Sequence, residues 1–216
     1  LTANWNGQFA IDKSNLNVQV APFYTWFSNK IIADYLANDN QIIYDNLRGY
    51  AISRGINVNT DWQHPNGLKL SASCTWMEVF QVEKGNRQPQ LHAPNLTIQY
   101  SVSYTHKSGW SADFNGRTLS PMALPVVEND FRPSQSPWYS LLNMQLTKSF
   151  RNGMECYAGV KNLLHFLPKD PILRPFDPFD KQISVNNPNG YAFDPGYNYA
   201  PMQGIRGFVG FRWNLW

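Results

Sequence analysis

The chain has 216 residues, 43% of them hydrophobic and 15% aromatic, with a formal net charge of +3 at neutral pH. That apolar content excludes a chain disordered for want of a core, and the mixed charge, with no long basic run, excludes a nucleic-acid arm. Mean hydropathy is low at -0.43, and no stretch approaches the ~18–20 consecutive apolar residues of a membrane-spanning helix. Membrane strands escape that test because they alternate.

In chain order, the first segment "LTANWNGQFAI" reads as a strand entered part-way, so an N-terminal portion is expected to be missing. A polar turn follows at "DKSN" (Asp12 to Asn15). After a long irregular stretch near Ile31 to Asn46, "GINVNTDW" sets Ile56, Val58 and Trp62 opposite Asn57, Asn59 and Asp61. The turn "HPNG" leads into "LKLSASCTW", where Leu68, Leu70, Ala72, Cys74 and Trp76 oppose Lys69, Ser71, Ser73 and Thr75. A second long connection spans about Gln81 to Pro94. Then "LTIQYSVSY" puts Leu96, Ile98, Tyr100, Val102 and Tyr104 on one face. "HKSG" turns the chain back, and a third long connection covers Ser120 to Pro137. "WYSLLNMQLTKSF" sets Trp138, Leu142, Met144, Leu146 and Phe150 against Tyr139, Asn143, Gln145 and Thr147, with Leu141 out of phase. "RNG" is the last short turn, and His165 to Gln203 the longest connection.

This period-two alternation predicts about nine strands and no amphipathic helix. Short turns and long loops alternate strictly. A compact soluble domain rarely holds so many long loops, whereas transmembrane β-barrels place short turns at the periplasmic rim and long loops outside. With that orientation Trp62, Tyr104, Trp110 and Phe150 fall at the periplasmic edge. Tyr24, Trp26, Tyr50, Trp76 and Trp138 fall at the other, with aliphatic positions expected between. Two aromatic girdles are what the two headgroup layers select. The small polar residues on the opposite face suit a wide lumen that is wet or plugged.

The C-terminal third carries "MECYAGVKNLLHFLP" (Met154 to Pro168) and "FDPGYNYAPMQGIRGFVGFRW" (Phe193 to Trp213). In their order and spacing, Gly159, Val160, Asn162 and Leu163, then Pro201, Gly204 and Arg206, resemble the end of a TonB-dependent outer-membrane receptor of Bacteroidota-like type. Arg54 and Gly55 match the family's recurrent Arg-Gly strand. The resemblance implies an antiparallel transmembrane β-barrel of about 22 strands in a Gram-negative outer membrane, with residues 1–216 its C-terminal part. The plug domain and earlier strands would precede it. Implied partners are outer-membrane lipid, the plug and the TonB complex, the barrel-assembly machinery, a surface lipoprotein, and a small-molecule ligand such as a ferric siderophore, haem or cobalamin. The implied activity is energised uptake, with no catalysis, cofactor or resident metal. A passive porin-like channel and a soluble all-β carbohydrate-binding protein are the alternatives.

Long loops carry function disproportionately. The last one supplies Arg174, Tyr191, Phe193, Tyr197 and Tyr199 as ligand-binding candidates, and His92 and His165, in or beside long loops, are candidates to touch a ligand such as haem. His64 and His106 sit in short turns and read as solvated. The Phe-Asp-Pro units at Phe176 and Phe193 read chiefly as turn formers, because Asp-Pro initiates turns. Cys74 and Cys156 fall on the outward phase, about four strands apart, on the order of 20 Å and beyond disulfide reach. Val209, Phe211, Trp213 and Leu215 are expected to face lipid on the closing strand. The terminal Trp216 resembles the recognition signal of the barrel-assembly machinery but stands one residue out of phase. A register irregularity near Gly210 would restore the phase; the alternative is that Trp216 is simply an interfacial residue.

Overall fold

The computed structural model describes residues 1–34, 43–127 and 129–213. Leu215 and Trp216, the expected end of the assembly signal, lie outside the described residues. The strands are β1 (Trp5–Ile11), β2 (Ser14–Phe27), β3 (Ile31–Asp34), β4 (Ile43–Asn46), β5 (Gly49–Gln63) and β6 (Leu68–Glu83). They continue with β7 (Asn86–Pro89), β8 (Leu96–Thr105), β9 (Trp110–Leu119), β10 (Tyr139–Ser149), β11 (Met154–Lys161) and β12 (Arg206–Trp213). Nine of them form one antiparallel meander in the order β1-β2-β5-β6-β8-β9-β10-β11-β12, with β7 hung on β6 and β3–β4 a separate hairpin. The nine strands expected from the alternation are therefore all present, each paired with its neighbour in the chain.

Four tight turns close one end. β1 and β2 meet through Asp12 and Lys13, with Ile11 paired to Ser14 and Asp12 in the left-handed region at φ 53°. That conformation suits a two-residue hairpin and is one that Asp tolerates. The other three turns repeat one device: the chain folds back on His64, His106 and Phe150, and Gly67, Gly109 and Gly153 adopt positive φ. At Gly67 a side chain would drive its Cβ into the Thr105 carbonyl on the next hairpin, so the turns also pack against each other.

Opposed residues share a face, so the register sorts the side chains. One row runs Val20, Val58, Cys74, Ile98 and another Pro22, Ile56, Trp76, Leu96. The reverse face carries Gln19, Asn59, Ser73, Gln99 and Arg117 in one row. Asn57 Nδ2 donates to Thr75 Oγ1 at 2.7 Å, and the Ser71 and Ser103 hydroxyls donate to Asp61 and Asp113 at 2.7 and 2.6 Å. No second sheet packs on the apolar face among the described residues. Trp26, Trp76, Trp110, Trp138 and Trp213 remain exposed there by 45–56%.

Two details depart from expectation. The middle of the apolar face is not wholly aliphatic: Tyr100 and Phe114 stack there at 6.3 Å. Gly116 makes room, since a Cβ on it would sit 2.5 Å from the Tyr100 ring. The pairing of β11 with β12 also runs unbroken through Gly210, from Lys161–Arg206 to Met154–Trp213. No bulge shifts the phase there. Val209, Phe211 and Trp213 lie exposed on the apolar face, at 85%, 56% and 54%.

Candidate functional site: the loops over the inner face

At the end opposite the tight turns, the long connections fold onto the polar face and build the main buried core of the chain. Leu119, Met122, Leu124, Tyr139, Tyr197 and Ala200 form it, with Val126, Leu141, Phe166 and Tyr199 packed against it. Leu141 breaks the alternation of β10 because its side chain covers the underside of this loop core. Tyr139 and Phe166 stack face to face at 4.6 Å, and the Tyr139 hydroxyl donates to the Tyr199 carbonyl at 2.9 Å.

Arg132 organises the polar part. Its side chain is 1% exposed and reaches Asp130 at 2.7 Å and Asp194 at 2.6 Å, while its guanidinium lies 4.1 Å over the Tyr197 ring. A buried guanidinium persists only where its donors are matched, and the two carboxylates and the Asp170 carbonyl do that here. Burial opposes ionisation of Asp130, but the hydrogen bonds from Arg132 outweigh it and hold the carboxyl below its usual range. Burial likewise pushes the Tyr197 phenol up, and neighbouring Tyr199 adds to this. The Tyr197 hydroxyl donates to the Pro133 carbonyl at 2.8 Å, pinning one loop to the other.

Between these loops lies a cavity of about 370 Å³ walled by Phe131, Arg132, Lys169, Asp170, Tyr197 and Tyr199 among others. Its size is that of a small-molecule site, with apolar walls and a few polar groups. Of the residues singled out in the sequence, Tyr197 and Tyr199 line it. Tyr191 stands beside it, its ring edge-on to Phe131 at 6.0 Å and its hydroxyl donating to the Asn129 carbonyl at 2.9 Å.

The other candidates hold loops in place. Arg174 is buried, donates to the Gln182 carbonyl at 2.7 Å and pairs with Asp177 at 3.3 Å. Asp177 accepts the backbone N–H groups of Lys181 and Gln182. Burial opposes its charge, yet those bonds and Arg174 hold its carboxyl low. Phe193 receives its anchor from Asp180, whose carboxylate accepts the Phe193 N–H at 2.9 Å. His92 Nε2 lies 2.9 Å from the Gly196 carbonyl, so the ring donates there and ties the second long loop to the last. His165 Nδ1 accepts the Ile205 N–H at 3.2 Å, and its ring lies so close over Gly204 that a Cβ would sit 2.4 Å from it. Both Asp-Pro units start turns: Asp194 accepts the Gly196 N–H at 2.7 Å and Asp177 closes the turn to Gln182.

Sequence reasoning passed over Arg132, Asp130, Phe131 and Lys169. "NDFRP" places an acid two residues before an arginine, which is a weak local signal. Their second partner, Asp194, lies 62 residues from Arg132.

An antiparallel sheet with one bare apolar face, one wet face, tight turns at one end and loops folded inward at the other is the wall of a transmembrane β-barrel. The chain belongs to the TonB dependent receptor-like, beta-barrel family, whose profile matches residues 2–163. Members of this family are proteins of the Gram-negative outer membrane, and that is where this chain resides. No curated protein matches the sequence. Among solved structures, the closed form of the ferric-catecholate import receptor Fiu from K12 E. coli superposes with a TM-score of 0.62 at 13% identity. The match covers 97% of this chain and 26% of Fiu. The copper transporter OprC gives 0.58 at 13% identity, covering 97% of this chain and 30% of its own. The FrpB iron transporter (F3-3 variant) from Neisseria meningitidis gives 0.58 at 7%, covering 98% and 30%. At such identities the likeness establishes the fold alone. The chain spans 26–30% of the length of these structures.

Proposed function

We propose that the chain is the C-terminal part of the barrel of a TonB-dependent transporter. Such a protein captures a scarce solute at its outer loops and imports it to the periplasm. The carrying observation is the pocket formed where the loop of residues 120–138 meets that of residues 162–205, directly over the polar inner face. A passive pore has no need of a buried ion cluster and interlocked tyrosines at its mouth; a receptor needs a fixed pocket there. The roles of Fiu, OprC and FrpB in iron and copper transport support a metal-bearing solute, with a ferric siderophore as the first class to test. Haem and cobalamin follow. The reading includes a plug domain, the TonB complex, the barrel-assembly machinery and a surface lipoprotein as partners. Tyr199 and Tyr191 would meet the ligand, Tyr197 would back the pocket wall from the buried core, and Arg174, Phe193, His92 and His165 would shape the loops that hold it. Val209, Phe211 and Trp213 would contact lipid.

Uptake of radiolabelled iron–siderophore, haem and cobalamin by cells expressing the full-length gene tests this. Uptake of one solute above the deletion strain, abolished by a protonophore, is the expected result. Uptake that survives the protonophore would instead identify a passive channel.

A further inference from the structure

Beneath the loop pocket, the loop end of the inner face of β9–β12 carries three cations. Arg117 is opposed to Leu141 on β10, Lys161 to Asn143, and Arg206 to Lys161, so all three stand on the polar face. All three are exposed there. Among the described residues none forms an ion pair. Toward the tight turns the same face is of mixed sign: Arg212 pairs with Glu155, and Asp113 accepts from Ser103. At the loop end of these four strands the charge is of one sign only.

Lys161 and Arg206 are direct cross-strand partners, about 5 Å apart at the backbone, where like charges destabilise a sheet. Lys161 Nζ lies 5.5 Å from the Phe208 ring, which offsets only part of that repulsion. Arg117 lies two strands from Lys161, roughly 10–12 Å away by strand spacing and stagger. It borders a hollow of about 670 Å³ lined mostly with neutral hydrogen-bonding groups, including Gln99, Asn115 and Asn143, while the carboxylate in its lining, Asp61, lies three strands away on β5 and accepts from Ser71. A solute leaving the loop pocket inward meets this band next.

We propose that Arg117, Lys161 and Arg206 form an anion-binding band on the inner wall that selects a small polyanionic solute. Such a solute carries two or more carboxylate, sulfonate or phosphate groups spaced to reach both the Lys161–Arg206 pair and Arg117. This rests on the uptake reading and narrows its substrate class. The bound anion relieves the Lys–Arg repulsion, so the band is most stable when filled.

The test uses full-length receptor in detergent at low ionic strength, with hydroxypyrene trisulfonate as the probe and a tricationic dye of similar size as control. The trisulfonate is expected to bind, by fluorescence anisotropy, and the cation not to bind. The paired variant Lys161→Gln/Arg206→Gln should weaken trisulfonate binding by about tenfold or more, as loss of charge-assisted contacts predicts. Arg212→Gln, at the other end of the wall, should bind like the parent. Thermal unfolding gives the second readout. The trisulfonate should raise the midpoint of the parent but not of the paired variant, and Lys161→Gln alone should raise it without any anion. An unaffected affinity in the paired variant overturns the proposal. So does a lowered midpoint in Lys161→Gln without anion, because a carboxylate elsewhere in the full protein would then already neutralise the pair. Neither readout needs energised uptake, so a negative here leaves the transport reading standing, and a failed uptake assay leaves the band standing.

Discussion

At the scale of single residues, Arg132 is the centre on which the candidate site depends. Its guanidinium is shared by Asp130 and Asp194 and faces Tyr197, so its loss strands two carboxylates in a place water reaches poorly. Removing one partner of a buried ion pair typically costs about 3–5 kcal/mol, whereas replacing the whole group by neutral residues costs far less. Arg132→Met should therefore deprotect the amides of residues 120–138 and 190–200 in hydrogen exchange by that order of free energy. Asp130→Asn/Arg132→Met/Asp194→Asn should recover most of it. Equal deprotection in both variants would show that packing, not charge, holds the loops. The same cluster sets a pH dependence. Asp130 and Asp177 have carboxyls held below their usual range, so the folded loops bind protons more weakly than the unfolded chain. Their stabilisation is complete above the unfolded carboxyl pKa of about 4 and is lost as pH falls through the lower folded values. Pepsin cleavage within these loops, normalised to an unstructured substrate, should be absent at pH 5 and appear below about pH 3.5. Cleavage that is already present at pH 5 and unchanged on acidification would contradict this.

At the scale of elements, Asn162 shows how a short motif ends a strand. It follows β11 with φ at 54°, its Nδ2 donates to the Phe166 and Gln203 carbonyls, and its Oδ1 accepts the Phe166 N–H. One side chain thus stops the ladder and ties both ends of the longest loop. Asn162→Gly keeps the backbone conformation and loses the bonds; Asn162→Ala loses both. Thermal or denaturant unfolding should rank parent above Gly above Ala, with about 1 kcal/mol between the two variants from the left-handed backbone. The reverse order would remove the conformational argument. Much of this architecture was legible in the chain. Lipid on one side and water on the other impose strict alternation, and the turns recur with polar residues and glycine, so strands β1, β2, β5, β6 and β8–β12 could be counted directly. The Gly-Val-x-Asn-Leu segment was visible too, though not that Asn162 closes the loop behind it. The β3–β4 hairpin and β7 were not readable, because they extend loops beyond the membrane where no two-sided environment enforces a pattern. Nor was the pocket. Tyr197 and Tyr199 stood out as loop aromatics, but Arg132 meets Asp194 across 62 residues, and only the folded loops bring them together. His92 and His165 stood out for their chemistry, whereas the structure uses both to anchor backbone.

At the scale of the whole molecule, the fold makes a claim about sidedness that a single pair of substitutions can check. Val58 and Asn57 are adjacent in the middle of β5, yet their side chains enter different solvents. Val58 lies in an apolar row with Val20, Cys74 and Ile98, whereas Asn57 bonds Thr75 on the polar face. In a soluble sandwich the polar face would be solvent and the apolar face a protein core. In a barrel the apolar face meets hydrocarbon and the polar face a lumen. Arginine at mid-bilayer on the lipid side of a barrel costs about 2–4 kcal/mol, while a lumenal arginine remains hydrated. Full-length Val58→Arg should thus lose roughly that much stability in reversible urea titration into phosphatidylcholine vesicles. Asn57→Arg should lose at most about 1 kcal/mol, the worth of one hydrogen bond. Thiol chemistry gives the same contrast without a new charge. Cys74, free and exposed on the apolar face, should react in membranes with a lipid-soluble maleimide and resist a charged one. If Val58→Arg and Asn57→Arg fall equally, or Cys74 takes the charged reagent readily, the apolar face does not meet lipid and the barrel assignment fails at its base.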